Sequence, residues 1–311
     1  MSEEKIKTSP FRVREIDELY NNVKKFRSTN YSRKLLKFIS KFLCVGPYNA
    51  MLVFMQKPGS QYVATADVWK NRFGRTPKPY ARPLIILKQF GPVSFVFELN
   101  DTERENFPQD LLNPFKTDGN LSPDKFYNLM KGLEKEAIGY NEQNYGTNLA
   151  GKLVKRARVV KRDKKKKIIV GQNKKYEPIM VESLFEIVIN KNLPQTEKVA
   201  TIFHELGHYF CGHLNVNGII KHIPERATLD SSVEEFEAET VCWLLCERLG
   251  IKNPSEKYLK GYLKNNEEIP EGISYDAILK SCGKIEQMLE GKYITPKDLI
   301  VKSSDKEISL F

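Results

Sequence analysis

Within the 311 residues, the run His204-Glu205-Leu206-Gly207-His208 is where residue types and spacing could do chemistry. Two histidines at i and i+4 lie one helical turn apart on one face, so their imidazoles can share a tetrahedral ion such as Zn2+. Glu205, beside the first of them, can hold a water on that ion and take its proton, as metal-assisted peptide hydrolysis requires. A five-residue pattern also occurs by chance, so its flanks decide. Val199, Ala200, Ile202, Phe203 and Leu206 make the surrounding helix apolar, and the chain places two of its four histidines in the motif. Buried His and Glu without partners are costly, which favours a metal site over a packing role.

A catalytic zinc site needs a third protein ligand. His213 follows His208 by five residues, one short of the spacing HExxHxxGxxH, and reads as a packed or capping histidine. His222 and Asp230 stay open as ligands but fit no helical template. The better source is VEEFEAETVCWLLCERLG, residues 233–250. On a helical wheel of roughly 100° per residue, Ala238, Cys242, Leu245 and Leu249 define an inward face. Glu235 falls on that face and is the expected metal ligand. Glu239, one turn on, is expected to accept the second ring N–H of His204 or His208 and so orient it. Glu234 lies near the edge and Glu237 well away; both read as acidic residues favourable at a helix N-terminus.

The elements that must position these residues follow from hydrophobic periodicity and from Gly and Pro punctuation. Helices are expected over 11–45, over YNAMLVFMQ up to Pro58-Gly59, and over Ala64 to Phe73. Two strands, PLIILKQF and VSFVFEL, would form a hairpin at Gly91-Pro92. A helix from Ser122 to Tyr140 precedes a small sheet of ARVV, KIIVG and SLFEIVIN, and SLFEIVIN is expected to offer the edge on which a substrate lies extended. The motif helix starts near Pro194. The next one starts at Ser231-Ser232, with Ser232 and Glu235 spaced as a capping box, and ends at Gly250. The fold class is therefore α+β, with a first domain over residues 1–120 and a second over 121–311.

HELGHYFCGH together with EFEAE resembles the ImmA/IrrE-like metallopeptidases, whose pattern is HExxH followed by E-x-E-A-N/D on the next helix. The resemblance covers residues 181–250. It implies a zincin-like peptidase domain, zinc as cofactor, and Glu235 as the metal-binding glutamate; Glu239 stands where that family usually has Asn or Asp. Over residues 30–105, GPYNAMLVFMQKPGSQYVATADVWKNRFGR and PLIILKQFGPVSFVFELNDTE are similar to the first domain of ArdC-type antirestriction proteins. That likeness implies a single-stranded-DNA-binding domain ahead of a zincin domain, the order present here. RTPKPYAR replaces the family's Lys-Gly-Glu turn.

The residues of the first half are compatible with that partner. Aromatics that can stack on bases, Trp69 and Tyr80 among them, alternate with Lys70, Arg72, Arg75, Lys78 and Arg82. Residues 152–175 hold nine Lys, three Arg and one Asp, so this one stretch equals the net charge of +11 of the whole chain. Such a stripe, with Arg158, Lys161, Arg162, Lys164, Lys165, Lys166 and Lys167 at its centre, is the footprint of a polyanion; a solvated hairpin tip is the alternative. Five cysteines without a CxxC pair argue against a disulfide framework and for a reducing cytoplasm. No signal-peptide pattern and no apolar run of about eighteen residues is present, so no membrane role is expected. Three functions stay in play: a single-stranded-DNA-binding zinc peptidase in antirestriction or DNA-associated protein processing, a DNA-binding protective protein with structural zinc, and an ImmA-like protease that cleaves a repressor. Tyr176 is the candidate to stabilise an oxyanion.

Overall fold

The structure, a computed structural model, describes residues 29–88, 91–103, 119–144, 150–155, 167–172, 178–214, 220–251 and 269–300. Arg158, Lys161, Arg162, Lys164, Lys165, Lys166 and Tyr176, and the start of the expected helix over 11–45, lie outside them. The first half begins with helices α1 (Thr29–Lys41) and α2 (Pro47–Gln56). A short strand β1 (Val63–Ala64) and helix α3 (Ala66–Phe73) follow. Helix α3 is capped by Thr65, whose hydroxyl accepts from Val68 N, and is stopped by Gly74 at φ 63°. Strands β2 (Thr76–Pro77), β3 (Leu84–Lys88), β4 (Gly91–Glu98) and β5 (Thr102–Glu103) complete it. β3 and β4 pair antiparallel, with β1 on the far side of β4. Gly91 and Pro92 open β4 rather than forming the turn.

The second half starts with α4 (Pro123–Lys135), capped by the Ser122 hydroxyl on Lys125 N. The expected helix to Tyr140 ends five residues early. Ala137 takes the left-handed conformation at φ 60°, and Ile138 then enters the core at the head of strand β6 (Ile138–Gln143). Strands β7 (Gly151–Lys155), β8 (Lys167–Gln172), β9 (Pro178–Glu182) and β10 (Phe185–Asn190) follow. β8 pairs with β9. In the other sheet β10 is central, parallel to β6 and antiparallel to β7. SLFEIVIN is thus flanked on both sides, with the burial of a strand covered on both faces; among the described residues β6 and β7 are the outer strands of this sheet. The motif helix α5 (Gln195–Cys211) runs from Pro194, and α6 (Ser231–Leu249) starts after Asp230. Helix α7 (Tyr275–Leu289) is capped by the Ser274 hydroxyl on Ala277 N.

The architecture is mixed α+β, with one large apolar core that runs from Leu35 and Met51 through Leu129 and Ile187 to Phe203, Leu244 and Ile285. That core joins segments on both sides of residue 120. Arg248, near the end of α6, strengthens the join by donating to the carbonyls of Ile39 and Phe42 at the end of α1 and of Val45 in the turn beyond it. A smaller cluster of Ala64, Trp69 and Leu99 fills the space beneath β1 and α3.

Candidate metal centre

Helices α5 and α6 pack against each other because Gly207 has no side chain. A Cβ there would sit 2.9 Å from Ala238 Cα and 3.0 Å from its carbonyl oxygen. This close approach brings one face of α6 onto the motif. Nε2 of His204 and Nε2 of His208 face each other at 3.1 Å. The Glu235 carboxylate stands over both, 3.5 Å from each Nε2. Four ligands at zinc–nitrogen and zinc–oxygen distances of about 2.0–2.1 Å are separated by roughly 3.3 Å along a tetrahedral edge, so the spacing of this donor set suits one ion.

The other nitrogen of each ring fixes which one is free to bind. His204 Nδ1 lies 3.0 Å from Glu239 Oε2; a carboxylate only accepts, so Nδ1 carries the proton and Nε2 keeps its lone pair. The second oxygen of Glu239 is buried without a hydrogen bond, a cost that a cation on the far side of the His204 ring would offset. His208 Nδ1 lies 3.0 Å from Nδ1 of His213, and His213 Nε2 lies 3.0 Å from Glu237 Oε2. The same accounting runs along this pair: His213 donates to Glu237, so its Nδ1 accepts from His208, and His208 again offers Nε2 inward. Arg226 clamps Glu237 from behind through two bonds of 2.6 and 2.7 Å, and Ser274 N donates to Glu237 Oε1 at 2.6 Å.

Titration follows the same geometry. Burial, then the neighbouring His204 and His213 rings, push His208 down to about 3, so this ring is neutral, as a ligand must be. For His204 burial acts downward, but the Glu239, Glu205 and Glu235 carboxylates outweigh it and raise the pKa. Glu205 is raised chiefly by burial, against the pull of His204 and of its bond from Leu153 N at 2.9 Å. A carboxylate shifted this way is a stronger base toward water. Glu237 moves the other way: burial alone would raise it, and Arg226 and His213 hold it below the usual carboxylate range.

The structure places Glu235 against the Nε2 atoms of both histidines and Glu239 against His204 Nδ1, whereas Glu237 does not read as an ordinary helix-end carboxylate. It points away from the ion site, yet it is fully buried and paired. Helix α6 is buried on nearly all sides, so its second face is also enclosed. The pairing of Glu237 was missed because the wheel assumed one inward face; the nearby Arg226 and His213 were the available signal. The Ser232–Glu235 capping box does not form: Asp230 is the N-cap residue, and Glu235 is turned to the histidines. His222 is engaged by Asp298 and Glu136 instead of the ion site.

Among the proposed nucleic-acid contacts, Trp69 is 0% exposed, with its indole N–H on the Phe97 carbonyl, and Arg75 is buried against Thr102. These two support the small core and present no surface to a polymer. Lys70, Arg72, Lys78 and Arg82 are exposed, although Lys78 Nζ donates to the Asn100 carbonyl. Tyr80 is fully exposed and holds φ 65°, an uncommon conformation for an aromatic residue. Lys167 begins β8.

Two histidines on one helix, a glutamate from the next, and a second glutamate beside the first histidine are the side-chain set of a metal-dependent peptidase. The sequence profile of a peptidase family, described as the IrrE N-terminal-like domain, matches residues 158–239. This stretch holds every residue of the set and supports a metallopeptidase domain of the ImmA/IrrE kind. No curated protein and no solved structure matches the chain. Among the described residues, no helix is long and apolar enough to cross a membrane.

Proposed function

We propose that the chain is a zinc-dependent peptidase of the ImmA-like kind, which cleaves a protein partner such as a repressor. The observation that carries this is the convergence of His204 Nε2, His208 Nε2 and the Glu235 carboxylate beside a base, Glu205, of raised pKa. His204, His208 and Glu235 would hold the metal. A bound zinc supplies a polarised carbonyl and a water whose pKa is lowered to about 7. Glu205 takes the proton of the attacking water on its carboxylate and passes it to the leaving amine. Leu153 N, which donates to Glu205, lies on β7, so β7 runs beside the base and is the strand along which we place an extended substrate. The test is Glu205→Gln assayed on a fluorogenic peptide library. The variant should keep its zinc and lose at least about 100-fold in turnover; wild-type turnover by this variant would sink the mechanism.

Tyr80 favours a second activity on the same chain, binding of single-stranded DNA by the first half, with antirestriction or DNA-associated protein processing as its setting. A fully exposed aromatic in a costly conformation, near the exposed Arg82, has the features of a stacking platform. The full chain should bind a labelled oligonucleotide with a strong salt dependence, and Tyr80→Gly should weaken it. Gly relieves the strained φ but gains freedom in the unfolded chain, and the two effects, each about 1 kcal/mol, roughly cancel in stability. Unchanged affinity of Tyr80→Gly would remove this residue from the interface.

A further inference from the structure

A cavity of about 760 Å3 opens between the end of α5, residues 221–229 and the first turns of α7, and none of the proposed metal ligands lines it. Its position follows from Gly212, which ends α5 at φ 83°; a Cβ there would strike the Pro224 carbonyl at 2.1 Å, so the 220s segment folds back closely over the helix end. The cavity walls carry Lys221, Arg226, Lys280 and Lys284, against one carboxylate, Asp276. Asp276 is already paired with Lys280 at 2.8 Å. Lys284 forms no ion pair among the described residues. Its ammonium lies 4.7 Å from the centre of the Phe210 ring and 3.4 Å from the His222 carbonyl. The carboxylates that act on its charge, Glu136 and Asp298, are bonded to His222. Burial lowers the Lys284 pKa, as expected for a cation short of counter-charge. Residues 274–277 at the N-terminus of α7 also line the space and add the positive end of its dipole. Ile223, Leu229 and Ile273 supply an apolar wall. A volume of this size, with a cationic side and an apolar side, suits a small organic anion rather than a bare ion.

Two wall residues, Arg226 and Ser274, connect the cavity to the metal centre. Arg226 lines the cavity and clamps Glu237, which fixes His213, which in turn sets the proton position on His208. We propose that the cavity binds a small organic phosphate and that Arg226 makes the metal ligand His208 sense its presence. A phosphate that draws the guanidinium toward the cavity loosens the Arg226–Glu237 clamp and, through it, the orientation of His208. The site stands independently of the peptidase reading; the coupling rests on it.

The experiment titrates ADP, with adenosine as the uncharged control, into full-length protein by calorimetry, and follows the visible spectrum of the cobalt-substituted protein in parallel. Saturable ADP binding is expected, with none for adenosine. The double variant Lys221→Gln/Lys284→Gln should weaken ADP by at least about 10-fold while its melting temperature is kept. ADP should also shift the cobalt spectrum of the wild type, and not that of the double variant. Absence of saturable binding at about 1 mM ADP, or binding indifferent to the two lysines, would overturn the site. Lysine-dependent binding with an unmoved cobalt spectrum would overturn the coupling. Failure of cobalt to bind at all would sink the metal reading instead, and the calorimetry alone would then decide the cavity.

Discussion

Replacing Glu237 by Gln changes one oxygen to an NH2 group, and the structure says which one. Oε1 accepts from Arg226 Nη2 and from Ser274 N, while Oε2 accepts from Arg226 Nη1 and from His213 Nε2. No arrangement satisfies all four donors. Keeping the amide oxygen at the Oε1 position preserves two of them and turns the NH2 toward Arg226 Nη1 and His213. His213 can then only accept at Nε2, so its proton moves to Nδ1 and points at His208 Nδ1. That pushes the His208 proton onto Nε2, the nitrogen facing His204, and blocks it as a ligand. Removing one partner of a buried ion pair costs about 3–5 kcal/mol, and the partial exposure of Arg226 places this variant near the lower end. At about 2–4 °C per kcal/mol for a chain of a few hundred residues, the metal-free protein should melt on the order of 6–12 °C lower. Independently, zinc affinity should fall about 10–100-fold, the usual effect of losing a partner that orients a histidine ligand. Chelator competition reads the affinity, calorimetric melting of the metal-free chain reads the stability, and imidazole 15N shifts read the tautomer. A large melting shift with zinc affinity changed less than about 2-fold would show that Glu237 only supports the fold, and the tautomer argument would fail. His213→Gln supplies a second route, since it breaks the His208 contact without removing the charge on Glu237.

Two further perturbations test the packing and the charge network. Gly207→Ala forces a methyl group against the α6 backbone at Ala238, where neither atom can turn aside; a cost of about 1–3 kcal/mol is expected, and zinc affinity should drop with it as Glu235 is moved from the histidines. A stable Gly207→Ala protein with full zinc affinity would refute the need for this close approach. His222 carries a pH dependence: burial acts to lower its pKa, but the Glu136 and Asp298 carboxylates outweigh it and hold the pKa above the ordinary value. A raised folded-state pKa stabilises fully below the unfolded value of about 6.5 and loses that contribution as pH climbs through the folded one. The melting-temperature gap between wild type and His222→Gln should therefore shrink from about pH 6 to about pH 9; a gap that widens would reverse the sign of the argument.

Where one signal dominated, the sequence alone placed the element. Gly250 ends α6 in the left-handed conformation, at φ 67°, because a chain leaving a helix needs that region and only glycine enters it freely; Gly212 ends α5 in the same way at φ 83°, a stop not anticipated from the sequence. The helix over YNAMLVFMQ has a similarly clear stop at Pro58-Gly59, whereas the helix around Trp69 starts at Ala66 rather than Ala64, because Ala64 pairs in β1 and Thr65 is the cap. The helix after Ser122 was overrun because its stop is Ala137, a residue that carries no turn signal and is held at φ 60° by the burial of Ile138 behind it. Which strand is the sheet edge was not legible either. β7 and β10 differ in burial through long-range pairing, and a local apolar run does not reveal its neighbours.

The glutamates of α6 show how the same limitation conceals function. Residues 235, 237 and 239 of a helix spread over roughly 200° per two steps, so a helix with one wet face would leave one of the three in solvent. Here α6 is enclosed by α5 on one side and by the Arg226 and Ser274 region on the other. Glu237 and Glu239 are enclosed there and must find donors, whereas Glu235 keeps a half-exposed carboxylate. Glu235 faces the two Nε2 atoms, Glu239 holds His204, and Glu237 meets Arg226, Ser274 and His213. Each histidine of the motif is consequently oriented by a different carboxylate of one helix, His204 directly and His208 through a third imidazole. Sliding or tilting α6 would disturb the candidate ligand Glu235 and both ring supports together, which is why the contact at Gly207 and Ala238 governs the whole candidate centre rather than one bond in it.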